Sequence, residues 1–311
     1  MPDQGPNVQV FYPATPDLPL PDGHRFPAGK YRSLLEAVQR EAILPALVLT
    51  PSPEAAVADI CRAHTPAYVA AILDGTLPAA AQRRIGLPWS PTLATRARAV
   101  VGGSVAAARS ALQHGISGQL AGGTHHAHAD FGSGYCTFND LAVAALAVLA
   151  SGEARRIAIL DLDVHQGDGT AAILAGDKAP DVLTVSVHGE KNFPFSKVAS
   201  DLDIALPDGT EDRAYVAAVA DALAAVAAFR PELVLYQAGV DPLVSDTLGR
   251  LSLTFEGLSE RDRLVLEHCR RRGTPVAIVA GGGYAKPIED TVAAYANTWR
   301  VAAEVFGLAR G

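Results

Sequence analysis

Five short apolar runs, "ISGQLAGG" (116–123), "RIAILDLDV" (156–164), "VLTVSVHG" (182–189), "LVLYQAG" (233–239) and "PVAIVAGGG" (275–283), recur along the second two-thirds of the chain. Ala-rich stretches of helical periodicity, such as "NDLAVAALAVLA" and "EDRAYVAAVADALAAVAAF", separate them. Apolar strands that alternate with helices must be buried on both faces, which only a parallel sheet covered by helices on each side achieves. We therefore expect an α/β chain built on one open parallel sheet of about eight strands. At 311 residues and 49% hydrophobic content a single large core is affordable. No repeat, linker or composition shift marks a second unit, so residues 1–311 read as one domain with the Pro-rich opening, 1–23, packed on it. Before the first of these strands, 31–44 and 53–64 read as amphipathic helices. Ser90–Gly115 carries the cap chemistry of a long helix, Ser before Pro at its start and Gly at its end.

The residues that follow each strand are the informative ones. In order they are "THHAH" (124–128), "DLDVH" (161–165), His188, "VD" (240–241) and "GGGY" (281–284). Ligands of open parallel sheets bind beyond the carboxyl ends of the strands, so these polar residues converge on one edge. If the run "IAIL" continues as a strand, Asp161, Asp163 and His165 fall on one face, because alternate residues of a strand point the same way. Charges placed there require a metal, a proton or a hydrogen-bonded partner.

Asp163 and His165 offer a two-ligand chelate, and Asp241 at another strand end can supply a third ligand. Three protein ligands with an open position suit a catalytic rather than a structural zinc. His125 and His126 are adjacent and can serve as metal ligands or as acid–base groups. The carboxylates left over, Asp161 and Asp168, favour the second use, since a carboxylate fixes the tautomer of an imidazole and raises its basicity. "GGGYAK" lacks the spacing of a phosphate loop. Its Tyr284 is either a donor to a developing oxyanion or a packed tyrosine at a helix start.

With 33 acidic and 26 basic residues the formal charge is −7, which leaves no electrostatic case for nucleic-acid binding. Cys61, Cys136 and Cys269 lie far apart and read as reduced, buried thiols rather than a disulfide framework. The N-terminus has neither a basic start nor an apolar stretch of signal-peptide length, and no segment is apolar enough to span a bilayer. The expectation is a cytoplasmic protein with no membrane partner.

Taken together, "GGTHHAHADFGSGYCTFNDLAVAA", "ILDLDVHQGDGT", "SVHGEKNFPF", "YQAGVDPLVSDTLGRLSLT" and "AGGGY" resemble the zinc-dependent histone deacetylase-like amidohydrolases of the arginase–deacetylase fold. The resemblance covers roughly residues 24–300 and is nearest to the bacterial, class IV-like branch. It implies one Zn²⁺ per chain on Asp163, His165 and Asp241, with His125 and His126 as tandem acid–base histidines partnered by Asp161 and Asp168. Tyr284 would polarise the scissile carbonyl, and Gly134, Tyr135, Phe193 and Leu248 would line an acyl-lysine tunnel. It also implies a potassium ion on Ser186 and Val187 with the backbone of Asp161, Asp163 and His165.

The implied reaction is hydrolysis of N-acyl amides, acetyl or longer, on lysine side chains of proteins or peptides. His126 would take and return the proton while His125 supports it electrostatically. The rim aspartate of histone-acting relatives has no counterpart in "AQRRIGLPW" (81–89), which leaves acetylpolyamines or other small N-acyl amines as alternative substrates. His128 and the "ADFG" after it also depart from the family pattern and have no assigned role. An arginase-like two-metal enzyme is disfavoured because Gly167 stands where its extra aspartate would be. A non-enzymatic acyl-binding module is disfavoured because every proton-transfer group is present.

Overall fold

The computed structural model describes residues 8–40 and 47–308. Its eight strands are β1 (Val8–Tyr12), β2 (Leu47–Pro51), β3 (Ile116–Gln119), β4 (Ile157–Asp161), β5 (Val182–Gly189), β6 (Leu202–Leu206), β7 (Leu233–Gln237) and β8 (Val276–Val279). They form one sheet in the order β2-β1-β3-β8-β7-β4-β5-β6, and every neighbouring pair is parallel. The expected open parallel sheet is therefore present, with helices on both faces. Alternation along β4 separates the two cores. Ala158 and Leu160 join the cluster under the helices Asp212–Phe229, Phe255–Arg272 and Ile288–Phe306, while Ile157 and Ile159 join the one under Pro91–His114 and Asp140–Ser151.

Register does more for the site than strand count. Asp161 of β4 pairs with Ser186 of β5 and Gln237 of β7, and Gln237 pairs with Val279 of β8. β4, β7 and β8 thus end level with one another while β5 runs on to Gly189, and the chain leaving these central strands opens onto a common crevice.

The five apolar runs became β3, β4, β5, β7 and β8. Of the three further strands, β2 and β6 are the sheet's edges, where no continuous apolar run is required, and β1 lies between β2 and β3 with Gln9 interrupting its apolar residues. In β6, for example, exposed and half-exposed residues alternate. Residues 8–12 of the Pro-rich opening form β1, while residues 1–7 lie outside those described.

The long helix runs from Pro91 to His114. Ser90 Oγ accepts from Leu93 N at 3.1 Å, and Gly115 closes the other end at φ 84°. The helix expected over 31–44 covers Lys30–Arg40, and 41–44 fall outside the described residues. The helix expected over 53–64 is a correction: only Val57–Ile60 is helical. Ahead of it Ala55 is engaged by a neighbouring helix, with Ala55 N donating to Arg98 O at 3.0 Å and the Arg98 guanidinium donating back to Ala55 O, and beyond it the local bonds of residues 61–64 form turns only. No described helix is long and apolar enough to cross a membrane.

Replacing Ser90 with Ala removes one acceptor from the helix start. The expected loss is about 1 kcal/mol of stability, read as a lower denaturation midpoint at unchanged slope.

Candidate active site

β4 ends at Asp161, so the same-face alternation expected through His165 does not continue. Residues 162–165 instead follow a loop held by their own side chains. Asp161 Oδ1 accepts from Asp163 N at 3.1 Å, and Asp163 Oδ1 accepts from His165 N at 3.0 Å. The loop still delivers Asp163 and His165 to one place, and Asp241 meets them from the chain beyond β7. His165 Nδ1 lies 3.0 Å from Asp163 Oδ1 and 3.0 Å from Asp241 Oδ2. Among the described residues this is the group of His, Cys, Asp or Glu whose ligand atoms lie within 4.8 Å of one another, and all three are buried.

The electrostatics of this trio fit a divalent cation. Burial and the neighbouring Asp163 charge push Asp241 up to about 7. Burial opposes charge on His165, but the hydrogen bonds and charges of Asp163 and Asp241 outweigh it and push the imidazole up to about 10. Burial opposes charge on Asp163, but the His125 charge and the His165 hydrogen bond outweigh it and hold this carboxyl well below its ordinary value, so the trio keeps a buried negative centre of the kind a cation suits. The surroundings leave room only for carboxylate oxygens: a Cβ on Gly282 would stand 2.0 Å from Asp241 Oδ2 and 2.8 Å from Asp163 Oδ2.

Beside the trio stand two buried His–carboxylate pairs. His125 Nδ1 is 2.6 Å from Asp161 Oδ2, and His126 Nδ1 is 2.6 Å from Asp168 Oδ1. Their environments push them apart. Burial disfavours a charged His125, yet the charges of Asp161 and Asp163 and the Asp161 hydrogen bond raise it to about 9. Burial and the adjacent His125 lower His126 to about 3. One imidazole is therefore suited to carry charge and the other to act neutral, with its Nδ1 proton given to Asp168 and Nε2 left to accept.

A cavity of about 1160 Å³ opens onto this floor. Gly134, Tyr135, Phe193 and Leu248 all line it, as does Tyr284. Phe193 meets the His126 ring edge-on at 4.8 Å, and a Cβ on Gly134 (φ 54°) would stand 2.5 Å from that ring, so the passage is narrow there. Burial raises the Tyr284 phenol well above its ordinary value, so it remains a proton donor. Leu18, Leu93, Arg96 and Val100 also line the cavity. Its exposed border carries Arg25, Arg84, Lys191 and Arg250. Ser186 lies level with Asp161, and its hydroxyl has a partner in His188 Nδ1 at 3.0 Å. Val187 is buried in the core, and His188 is not among the residues lining the cavity.

Comparison with known proteins gives the family. The histone deacetylase domain model matches residues 24–300. The chain belongs to the histone deacetylase family. It is 46% identical to an uncharacterized protein of Picosynechococcus sp., covering 93% of this chain and 96% of that one. It is 26% identical to histone deacetylase 2 of Arabidopsis thaliana, over 92% of this chain and 77% of that one. The crystal structure of the HDA15 HD domain shares its fold, with a TM-score of 0.77 at 21% identity, over 97% of this chain and 88% of that one.

Several groups that support this deacetylase-family site carried no sequence signal. Lys30, at the start of the first helix, is buried, and burial lowers it to about 8. Its Nζ donates to Gly283 O at 3.0 Å and lies 4.5 Å above the Tyr284 ring. Asp246 accepts from Leu248 N and Gly249 N through one oxygen and from Tyr284 N through the other, tying two walls of the cavity together. Gln237 bridges His125 Nδ1 at 3.0 Å and Asp163 Oδ2 at 3.3 Å. Buried Arg261, paired with Asp262, donates to Gly239 O two residues before Asp241. Asp140 holds the turn before the histidines, accepting from Gly123 N at 3.1 Å, Thr124 N at 2.7 Å and the Thr124 hydroxyl at 2.6 Å.

Asp140→Ala strands those donors in a buried turn. The expected cost is about 2–4 kcal/mol of stability, with faster hydrogen exchange at the Gly123 and Thr124 amides than at those of β4.

Proposed function

We propose that this chain is a zinc-dependent amidohydrolase that removes acyl groups from lysine side chains of proteins or peptides. The observation that carries the reading is the meeting of the Asp163–His165–Asp241 trio, two His–carboxylate pairs and Tyr284 on or under the floor of one cavity. Asp163, His165 and Asp241 would hold one zinc, which when bound supplies the Lewis acidity that polarises an amide carbonyl and makes water acidic.

The remaining work falls to the protein's own groups. Gly134, Tyr135, Phe193 and Leu248 confine an extended acyl-lysine side chain and keep bulk water from the amide. His126, holding its Nδ1 proton on Asp168, offers Nε2 to take the proton of the attacking water and return it to the leaving amine. His125, with Asp161, is the member of the pair that carries positive charge beside the developing negative one. The Tyr284 hydroxyl donates to the oxyanion, and Lys30 and Asp246 fix the backbone on which it rides.

Two observations bear on the alternatives. Arg25, Arg84, Lys191 and Arg250 make the border of the cavity basic, with Asp208 meeting Arg250 at 3.1 Å and Lys191 at 3.9 Å. Such a border repels a polyamine and suits acyl-lysine among acidic neighbours. A two-metal arginase-like site is opposed at Gly167, where a Cβ would stand 2.5 Å from Asp161 Oδ2.

Zinc-loaded protein is expected to release acetate from an acetyl-lysine peptide and to contain near one zinc per chain by elemental analysis. Asp163→Ala should lose both metal and turnover, whereas Tyr284→Phe should keep the metal and lose about a hundredfold in kcat. Wild-type turnover in both variants contradicts the mechanism. A peptide with flanking Asp or Glu should exceed an acetylated polyamine about tenfold in kcat/KM, with the advantage shrinking as salt rises. Tight peptide binding with no acetate release would instead identify a binding module.

A further inference from the structure

His128 is the histidine that the two His–carboxylate pairs leave over, and its position departs from the family pattern. It follows His126 by two residues, on the connection from β3 to the helix Asp140–Ser151. Its Nε2 lies 2.9 Å from Asp168 Oδ2, while His126 Nδ1 lies 2.6 Å from Asp168 Oδ1. Each oxygen of one carboxylate thus faces a different imidazole.

The rest of His128 is fixed as firmly. Its ring stacks on Phe131 with centroids 4.2 Å apart at 19°, and the Arg84 guanidinium lies 3.5 Å over that Phe131 ring. Its backbone N–H donates to Phe131 O at 2.8 Å, and its carbonyl meets His64 Nδ1 at 2.9 Å. His64 Nε2 in turn accepts from Asn139 N at 2.8 Å, at the cap of the following helix. The side chain is 15% exposed, so water does not compete strongly for Asp168 Oδ2.

A carboxylate with one oxygen free can rotate, and it gives its full acceptor strength to the imidazole on the other oxygen. A second donor removes both freedoms. We propose that His128 is a positioning residue for the acid–base histidine: its Nε2–H···Oδ2 bond fixes the plane of Asp168 and shares its charge. The His126 Nδ1–H bond is thereby oriented and moderated. The proposal rests on the reading of His126 given above. The other charged or titratable groups around this unit are His125 and His165 on the His126 side, Lys197 facing Asp168, Arg84 behind Phe131, and exposed Asp130.

The test compares His128→Phe, which keeps a ring for Phe131 but has no donor, with His128→Gln, whose amide N–H can replace Nε2–H. His128→Met serves as a second variant without a donor should Phe fail to fold. All are studied as zinc-loaded full chains. Without the second donor, Asp168 holds the His126 proton more tightly and His126 becomes more basic. The acidic limb of kcat/KM for an acetyl-lysine peptide should therefore move up by about one pH unit in Phe or Met and stay in place in Gln. Below that limb the donor-free variants should fall about tenfold in kcat/KM, and at the plateau KM should be unchanged.

Proton NMR of the same samples without substrate should show the His126 Nδ1–H resonance moved downfield in Phe or Met and unmoved in Gln. An unchanged resonance and pH profile in the donor-free variants would overturn the proposal. Equal changes in Gln and Phe would also overturn it, since they would mark a packing effect. If the resonance responds as expected while the parent releases no acetate, the positioning of His126 stands and the deacylation reading fails.

Discussion

Everything at the carboxyl edge of this sheet depends on keeping two carboxylates, Asp163 and Asp241, buried against one imidazole. Taking such charges out of water costs several kcal/mol each unless they are paired and hydrogen-bonded. The protein meets much of that demand from its backbone. Val164 N donates to Asp241, while His165 N and Gly282 N donate to Asp163. These donors can approach because glycine stands where any side chain would collide with a carboxylate oxygen, most tightly at Gly282. What remains is an excess of negative charge around His165, which suits a divalent ion with an open coordination position.

The same physics recurs one layer out. Loops beyond the strand ends lack ladder hydrogen bonds, so buried carboxylates act as their frame. Asp140 anchors the turn before the histidines, Asp246 ties Leu248 to Tyr284, and Asp168 joins His126 to His128. A carboxylate accepts at two oxygens and can therefore bind two segments at once, which a single backbone carbonyl does less rigidly. Around this frame the charge reverses. The buried floor is acidic and the exposed border of the cavity is basic, although the chain as a whole carries −7. The local field at the mouth is thus opposite in sign to the net charge and favours acidic groups on whatever approaches it.

Much of the architecture was legible because burial leaves a pattern. Strands covered on both faces must be continuously apolar, and β3, β4, β5, β7 and β8 are. The edge strands β2 and β6 need no such run, β1 has its apolar residues broken by Gln9, and 53–64, although amphipathic, is helical only over Val57–Ile60, with Ala55 ahead of it bonded to Arg98. At the site, the polar residues after the strands marked the Asp163–His165–Asp241 trio and both histidines. Lys30, Gln237 and Asp246 gave no comparable mark. Each acts through a contact with a segment distant in sequence, and neither its type nor its local spacing records that contact.

The sequence by itself determined the class of the fold and the chemical inventory: alternating apolar strands and helices dictate a parallel sheet, and the strand-end residues dictate which side chains reach its edge. Only the tertiary structure decided how those side chains are shared. Asp161 could have joined Asp163, His165 and Asp241, and Asp168 could have served one histidine rather than two. Which oxygen meets which nitrogen depends on strand register and loop path, because hydrogen bonds act over about 3 Å and metal ligation over about 2 Å, a precision that residue order does not encode.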